Sequence, residues 1–261
     1  TCSAEGGPVC DEAHVIRDVG EGVPLGADPF GALVYHEPRL GVDLLVVVEL
    51  GDGGVDVFAL DDDGVPTPLG RIALDTPGYL APVYVPATGR LLLPNKFFNQ
   101  ITSFELDLES LGQEEGVIGV RDRRDLALPV GISSGDYFRR MVRVDNRLFV
   151  ADRNSDRVVV LDALSETVVD SLPALPGVTG LAVAPGDMLV VTAFDNRRLA
   201  VVDIASGRLL RVTGLTRRPY DVTAVAPMGS GLRRALITSF TDHRIGIVDL
   251  DPASERFGEV I

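Results

Sequence analysis

The chain has 261 residues, 46% of them hydrophobic, and a net charge of −14. That is apolar material enough for one large core or two small ones, and it excludes a disordered chain. The acidity argues against nucleic acid or an anionic membrane as partner, because phosphate recognition needs a basic surface, and no run of about 18 apolar residues offers a membrane span.

The first 27 residues read as a separate N-terminal segment, polar and Gly-rich at its start. Cys2 and Cys10 are the only cysteines and both fall there. A disulfide between them is expected, which implies an oxidising compartment and an extracytoplasmic protein, whether periplasmic, cell-surface or secreted. The alternative for Cys2 is a lipid-bearing cysteine, although Thr1 precedes it. Residues 14–19 offer an additional outer β-strand that would help to close a ring.

From residue 28 the chain repeats. Five apolar runs end in an aspartate, Asp61, Asp107, Asp162, Asp203 and Asp249, spaced by 46, 55, 41 and 46 residues. Short β runs at a period of roughly 40 to 50 residues are the mark of propeller blades. Each unit reads as four strands, a to d. Strand a is expected at 30–36, 79–86, 137–145, 179–185 and 220–226. Strand b is expected at 44–49, 90–94, 147–151, 188–192 and 235–239. Strand c ends at each aspartate, and strand d is clearest at 208–212 and 256–261. The a and b runs are apolar on nearly every residue, as inner strands packed between two neighbouring blades should be. The aspartates are followed by turn-forming residues, so their carboxylates are expected to accept backbone N–H groups in the c–d turn. The longer second spacing marks an insertion after strand c of that unit, including 113–116 and 121–125 and running to Gly135.

The phrase Arg218-Pro219-Tyr220-Asp221-Val222-Thr223-Ala224-Val225-Ala226-Pro227 resembles the "P-x-G-V-A-V-S-P-D-G" inner-strand phrase of the YVTN (surface-layer-type) β-propeller repeats. Segments 177–186 and 28–34 are similar to it too. The run 190–193 followed by 199–203 is similar to "Y-V-T-N … V-S-V-I-D". The resemblance covers residues 28–261 and implies an all-β propeller of four-stranded blades. Such propellers usually have seven blades and five are visible here. Either five blades close into a ring, or the chain is part of a longer propeller that invites association with another chain. The repeat serves many unrelated roles, so the resemblance fixes no activity.

In such a fold the b–c and d–a connections emerge on one face around the central channel. Here they are rich in Arg, Asp, Asn and aromatic residues. The candidate binding rim is Arg139, Arg153, Asn154, Asp195, Arg197, Arg218, Tyr220, Asp221, Asp242 and His243, a set suited to a protein or glycan partner. The plainer reading is solvated turns with surface ion pairs of small individual worth.

Catalytic motifs are weak. Gly131-Ile132-Ser133-Ser134-Gly135 has the letters of a nucleophile elbow but leads into a strand, not a helix. Asp152-Arg153-Asn154-Ser155-Asp156 alternates oxygen ligands like a calcium loop, yet lacks the glycine and distal glutamate of an EF-hand, and reads as a tight b–c turn. His14, His36 and His243 are scattered, so no zinc pattern forms, and no C-x-x-C-H motif exists for haem. No metal or cofactor is expected. The sequence therefore favours a non-catalytic, extracytoplasmic binding module. The alternative comes from the resemblance, since some similar propellers open lactones. A lactonase-like or other hydrolase would need acids such as Asp195, Asp221 and Asp242 to converge on the channel.

Overall fold

A run that is apolar on every residue needs a sheet buried on both faces, and the chain builds five sheets that pack side by side. The computed structural model describes residues 25, 28–50, 53–74, 78, 80–95, 98–111, 116–128, 140–153, 155–172, 175–225, 233–239, 241 and 243–261. Blade I comprises β1 (Pro29–Glu37), β2 (Val42–Glu49), β3 (Gly54–Leu60) and β4 (Pro66–Ala73). Blade II has β5 (Val83–Val85), β6 (Arg90–Pro94), β7 (Gln100–Asp107) and β8 (Gly119–Ala127). Blade III has β9 (Met141–Val144), β10 (Arg147–Asp152), β11 (Arg157–Asp162) and β12 (Thr167–Leu172). Blade IV has β13 (Val178–Ala184), β14 (Met188–Ala193), β15 (Arg198–Asp203) and β16 (Leu209–Gly214). Blade V has β17 (Asp221–Val225), β18 (Arg234–Ser239) and β19 (Arg244–Asp249). Strands pair antiparallel in chain order within each blade, and the chain is a five-bladed β-propeller.

Among the described residues, four apolar cores lie between consecutive blades. Along β15, Ala200 and Val202 pack towards blade III, whereas Leu199 and Val201 pack towards blade V. The same alternation seals blade I to blade II, with Val57, Leu93 and Phe104 in one cluster, and blade II to blade III, with Ile101, Leu148 and Val159 in another. Each fully buried Val, Leu or Phe contributes about 1.5 to 3 kcal/mol, so these junctions hold most of the stability. Outer strands see solvent: β12 is exposed at every residue but its last.

The innermost strands approach so closely that glycine is required. A Cβ on Gly180 of β13 would lie 2.9 Å from the Asp221 Cα of the next blade, and a side chain on Gly31 of β1 would collide with the backbone of Leu80 and Ala81.

All five strand-closing aspartates do the turn work that their position implies. Asp61 Oδ1 accepts the N–H groups of Asp63 (3.0 Å) and Val65 (2.8 Å). Asp107 Oδ1 takes Glu109 N–H at 3.2 Å. Asp162 Oδ1 takes Leu164 and Ser165 N–H at 3.0 and 2.7 Å. Asp203 Oδ1 takes Ser206 N–H at 2.8 Å, and Asp249 Oδ1 takes Asp251 N–H at 3.0 Å.

Some boundaries differ from the sequence reading. Of the expected 79–86 only Val83–Val85 is strand among the described residues, and of the expected 137–145 Met141–Val144 is strand, with 137–139 outside the described residues. Residues 121–125 belong to outer strand β8 instead of an inserted loop. The extra length of blade II is partly a 3-10 turn at Leu108–Ser110 and partly a strap onto the edge of blade I. There Val117 bridges Arg71, whose N–H donates to Gly116 O at 2.6 Å. The expected last strand, 256–261, is reduced to a bridge between Val260 and Val248, because the preceding residues are taken up in turns. Cys2, Cys10, residues 14–19 and the 131–135 motif lie outside the described residues.

Candidate functional site on the rim of blades III to V

Three b–c turns share one backbone device. Asp156 (φ 55°), Arg197 (φ 55°) and His243 (φ 52°) are left-handed, and each directly precedes the arginine that opens the third strand: Arg157, Arg198 and Arg244. A left-handed non-glycine residue costs of the order of 1 to 3 kcal/mol. Arg197 and His243 thus close turns, with exposed side chains.

The turns of blades III and IV are knitted together. Asp156 Oδ1 accepts Gly177 N–H at 2.8 Å, and the Asp156 carbonyl accepts Leu175 N–H at 3.0 Å. Gly177 in turn takes Phe194 N–H on its carbonyl at 2.7 Å. Its φ of +76°, and the 2.5 Å that would separate an added Cβ from Asp195 Cβ, admit only glycine. Asp152 Oδ2 accepts the Ser155 hydroxyl at 2.7 Å. Among the described residues of Asp152–Asp156, Asp156 N–H also donates to the Arg153 carbonyl at 3.4 Å, and Asn154 lies outside them.

On this frame sits a cluster of arginines around one ring. Arg153 of blade III donates through Nε and an Nη to the Asp195 carboxylate of blade IV, at 3.2 and 2.9 Å. Its guanidinium carbon also lies 5.5 Å from the Phe194 ring centroid. Arg218, on the connection to blade V, places its own guanidinium carbon 5.3 Å from the same ring. Each exposed cation–π contact contributes about 0.5 to 1 kcal/mol. Arg218 is exposed, and among the described residues no carboxylate pairs with it. Tyr220 is half-buried and anchors the start of β17 by donating its N–H to Thr238 O at 2.7 Å.

A second ion pair spans the channel mouth. Arg140, just before β9 of blade III, donates to the Asp221 carboxylate at the head of β17 in blade V. Asp221 Oδ1 also accepts Val222 N–H at 2.8 Å. Asp221 is thus a clamp between non-adjacent blades.

The other end of the channel is a cavity of about 750 Å³ between β1, β5, β9 and β13. Its lining is mostly apolar, with Val34, Val83 and Met141 prominent and no carboxylate among the described lining residues. Tyr35 and Tyr84 stack there with centroids 3.9 Å apart, and burial pushes the Tyr35 hydroxyl pKa up. Of the acids that a lactonase would need at the channel, Asp195 is engaged by Arg153 and Asp221 by Arg140. Among the described residues no three His, Cys, Asp or Glu side chains gather as a metal site.

The structure thus assembles Arg153, Asp195 and Arg218, and leaves Arg197 and His243 as turn residues. Arg139, Asn154 and Asp242 lie outside the described residues. Phe194 and Arg140 complete the rim although the sequence did not single them out. The available signal was positional: Phe98, Phe194 and Phe240 all occur in b–c connections.

No protein-family profile matches this chain, and no curated protein matches it. Its fold is similar to that of solved structures. One is selenomethionine-substituted virginiamycin B lyase from Staphylococcus aureus, at 13% identity and a TM-score of 0.61, covering 90% of this chain and 69% of that one. Another is a streptogramin B lyase, at 15% identity and a TM-score of 0.60, covering 90% and 68%. At such identities the likeness carries the propeller architecture alone.

Proposed function

We propose that this chain is a non-catalytic binding module that takes a carboxylate-bearing segment of a protein or glycan on its b–c/d–a rim. The observation that supports this is the gathering of Arg153 and Arg218, from different blades, over the single ring of Phe194. Ordering two long side chains before binding lowers the entropy cost of recognition. Guanidinium groups offer the forked donors that carboxylates accept. In a chain of net charge −14, such a spot is a local exception that selects for acidic groups presented at close range, since long-range steering works against them. The reading includes an extracytoplasmic location and blades of the YVTN type. The lyase names of the solved neighbours add nothing to it at 13 and 15% identity.

The test is calorimetry with three polymers: poly-glutamate, polygalacturonate and neutral dextran. Binding of either acidic polymer, weakening as salt rises, with no binding of dextran, agrees with the proposal. Equal binding of dextran, or none of the three, contradicts it.

A further inference from the structure

The innermost strands converge at the rim end of the channel and part towards the other end. At the rim end Gly31 meets the backbone of Leu80 and Ala81, Gly180 meets Asp221, and Arg140 bridges to Asp221. Further along the same strands the space widens into the cavity of about 750 Å³. Each of its walls comes from a different blade: Val34 of β1, Val83 of β5, Met141 of β9 and Val183 of β13. Val34 and Val183 are 55% and 38% exposed, although the strands that carry them are innermost. The charge of the lining is one-sided. Arg143 lies two residues along β9 from Met141, so both side chains leave the same face of the strand. It is half-buried, it donates Nη1 to the Asp145 carbonyl at 2.5 Å, and among the described residues no carboxylate pairs with it. His36, by contrast, already holds Asp43, with Nδ1 2.9 Å from Oδ1.

We propose that this cavity binds a small amphipathic monoanion, an apolar body with a single carboxylate, of which a medium-chain fatty acid is the simplest. Its volume falls within the range of roughly 300 to 1,000 Å³ that small-molecule sites occupy, and such sites pair an apolar lining with a few polar groups that fix orientation. The apolar body lies along the valine walls, and the flexible thioether of Met141 adapts to its shape. The carboxylate accepts the forked donors of Arg143. Charge complementarity selects this class over its neighbours. A cationic amphiphile would bring like charge to Arg143, and a neutral one would cover the guanidinium without pairing it. The walls belong to blades I to IV and lie at the opposite end of the channel from Arg153, Phe194 and Arg218, so this site stands or falls independently of the rim.

Titration calorimetry with decanoate, hexanoate and decylamine tests this. Decanoate should bind the native chain, hexanoate should bind more weakly by about two- to fourfold for each methylene removed, and decylamine should not bind. Saturating poly-glutamate should leave the decanoate affinity unchanged. Arg143→Gln should weaken decanoate by about tenfold or more, the worth of a charge-assisted hydrogen bond. Val183→Phe, which fills the cavity from the wall of blade IV, should abolish binding. A thermal melt checks that each variant folds, and Val34→Phe fills the cavity from blade I should Val183→Phe fail to fold. Absence of decanoate binding overturns the proposal, as does equal binding of hexanoate or decylamine. Displacement of decanoate by poly-glutamate would move its site to the rim and overturn it too, and so would undiminished affinity in folded Arg143→Gln or in a folded cavity-filling variant.

Discussion

Arg153 of blade III holds the Asp195 carboxylate of blade IV through two parallel N–H donors while its guanidinium rests over Phe194 of the same turn as Asp195. The pair crosses a blade junction, so it fixes the spacing of two rim turns. It also means that a carboxylate ligand must compete with Asp195 for Arg153. Replacing Asp195 by Asn should therefore tighten poly-glutamate binding by about two- to fivefold, the worth of one partly screened like charge. Titration calorimetry reads this directly. Weaker binding would mean that Asp195 itself contacts the ligand.

Asp221 is expected to be structural. Its replacement by Ala leaves Arg140 half-buried beside the channel mouth without its anion and should cost about 1 to 2 kcal/mol, discounted for solvent screening. Thermal melts of Asp221→Ala and of the double variant Arg140→Ala/Asp221→Ala decide it. The double variant should recover part of the loss. Additive losses would show that the two residues do not interact.

The blade junctions predict a sharp contrast between two valines. Val201→Asp puts an unpaired charge into the sealed space between blades IV and V and should unfold the domain or cost about 4 kcal/mol or more. Val169→Asp on outer strand β12, where the residue is 57% exposed, should change stability by no more than about 0.5 kcal/mol. Denaturant midpoints measure both.

A buried charge network joins blades II and III. Arg90, 4% exposed, donates through Nε to Glu166 at 2.8 Å and Ser103 at 2.8 Å, and through Nη1 to Asp122 at 2.9 Å. Glu166 comes from the c–d turn of blade III, so this contact reaches across the junction. Arg90→Leu alone should cost about 3 kcal/mol, because the buried Glu166 carboxylate keeps only Arg124, at 3.4 Å, and the Ser103 hydroxyl, and adding Glu166→Leu should restore much of it. Failure of the second change to rescue the first would assign the loss to packing.

Acid should weaken the c–d turns first. The Ser165 N–H holds the Asp162 carboxyl below the usual carboxylate range, and the Ser206 hydroxyl and N–H do the same for Asp203. A depressed folded-state pKa contributes stability above the unfolded value, near about 3.9, and that stability is lost as pH falls through the folded value. Melting temperatures of Asp162→Asn and Asp203→Asn should lie below that of the native chain at neutral pH, and the gap should shrink in acid below about pH 4. A gap independent of pH would mean that the asparagine amide replaces the carboxylate fully.

The architecture was legible because period and burial carry it. Runs such as 158–161 and 199–202 are apolar on every residue only where both faces of a sheet are covered, and the repeated aspartate marks each c–d turn. Single-residue geometry was not legible. Asp221 and Asp195 looked like free acids because the arginines that neutralise them, Arg140 and Arg153, are 81 and 42 residues away in the chain. Residues 121–125 looked like loop because an outer strand facing solvent carries the same polar composition. Phe194 was hidden by its loop position, and only its contacts with two distant guanidiniums reveal its role.

The central claim is that Arg218, held over Phe194, receives an acidic ligand on the rim. Calorimetric titration of poly-glutamate into the native chain and Arg218→Ala, with a thermal melt of each, tests it most directly. The account predicts at least a tenfold weaker affinity for the variant, about 1.4 kcal/mol, with the melting temperature unchanged because the side chain is exposed. Undiminished affinity in the folded variant would contradict it.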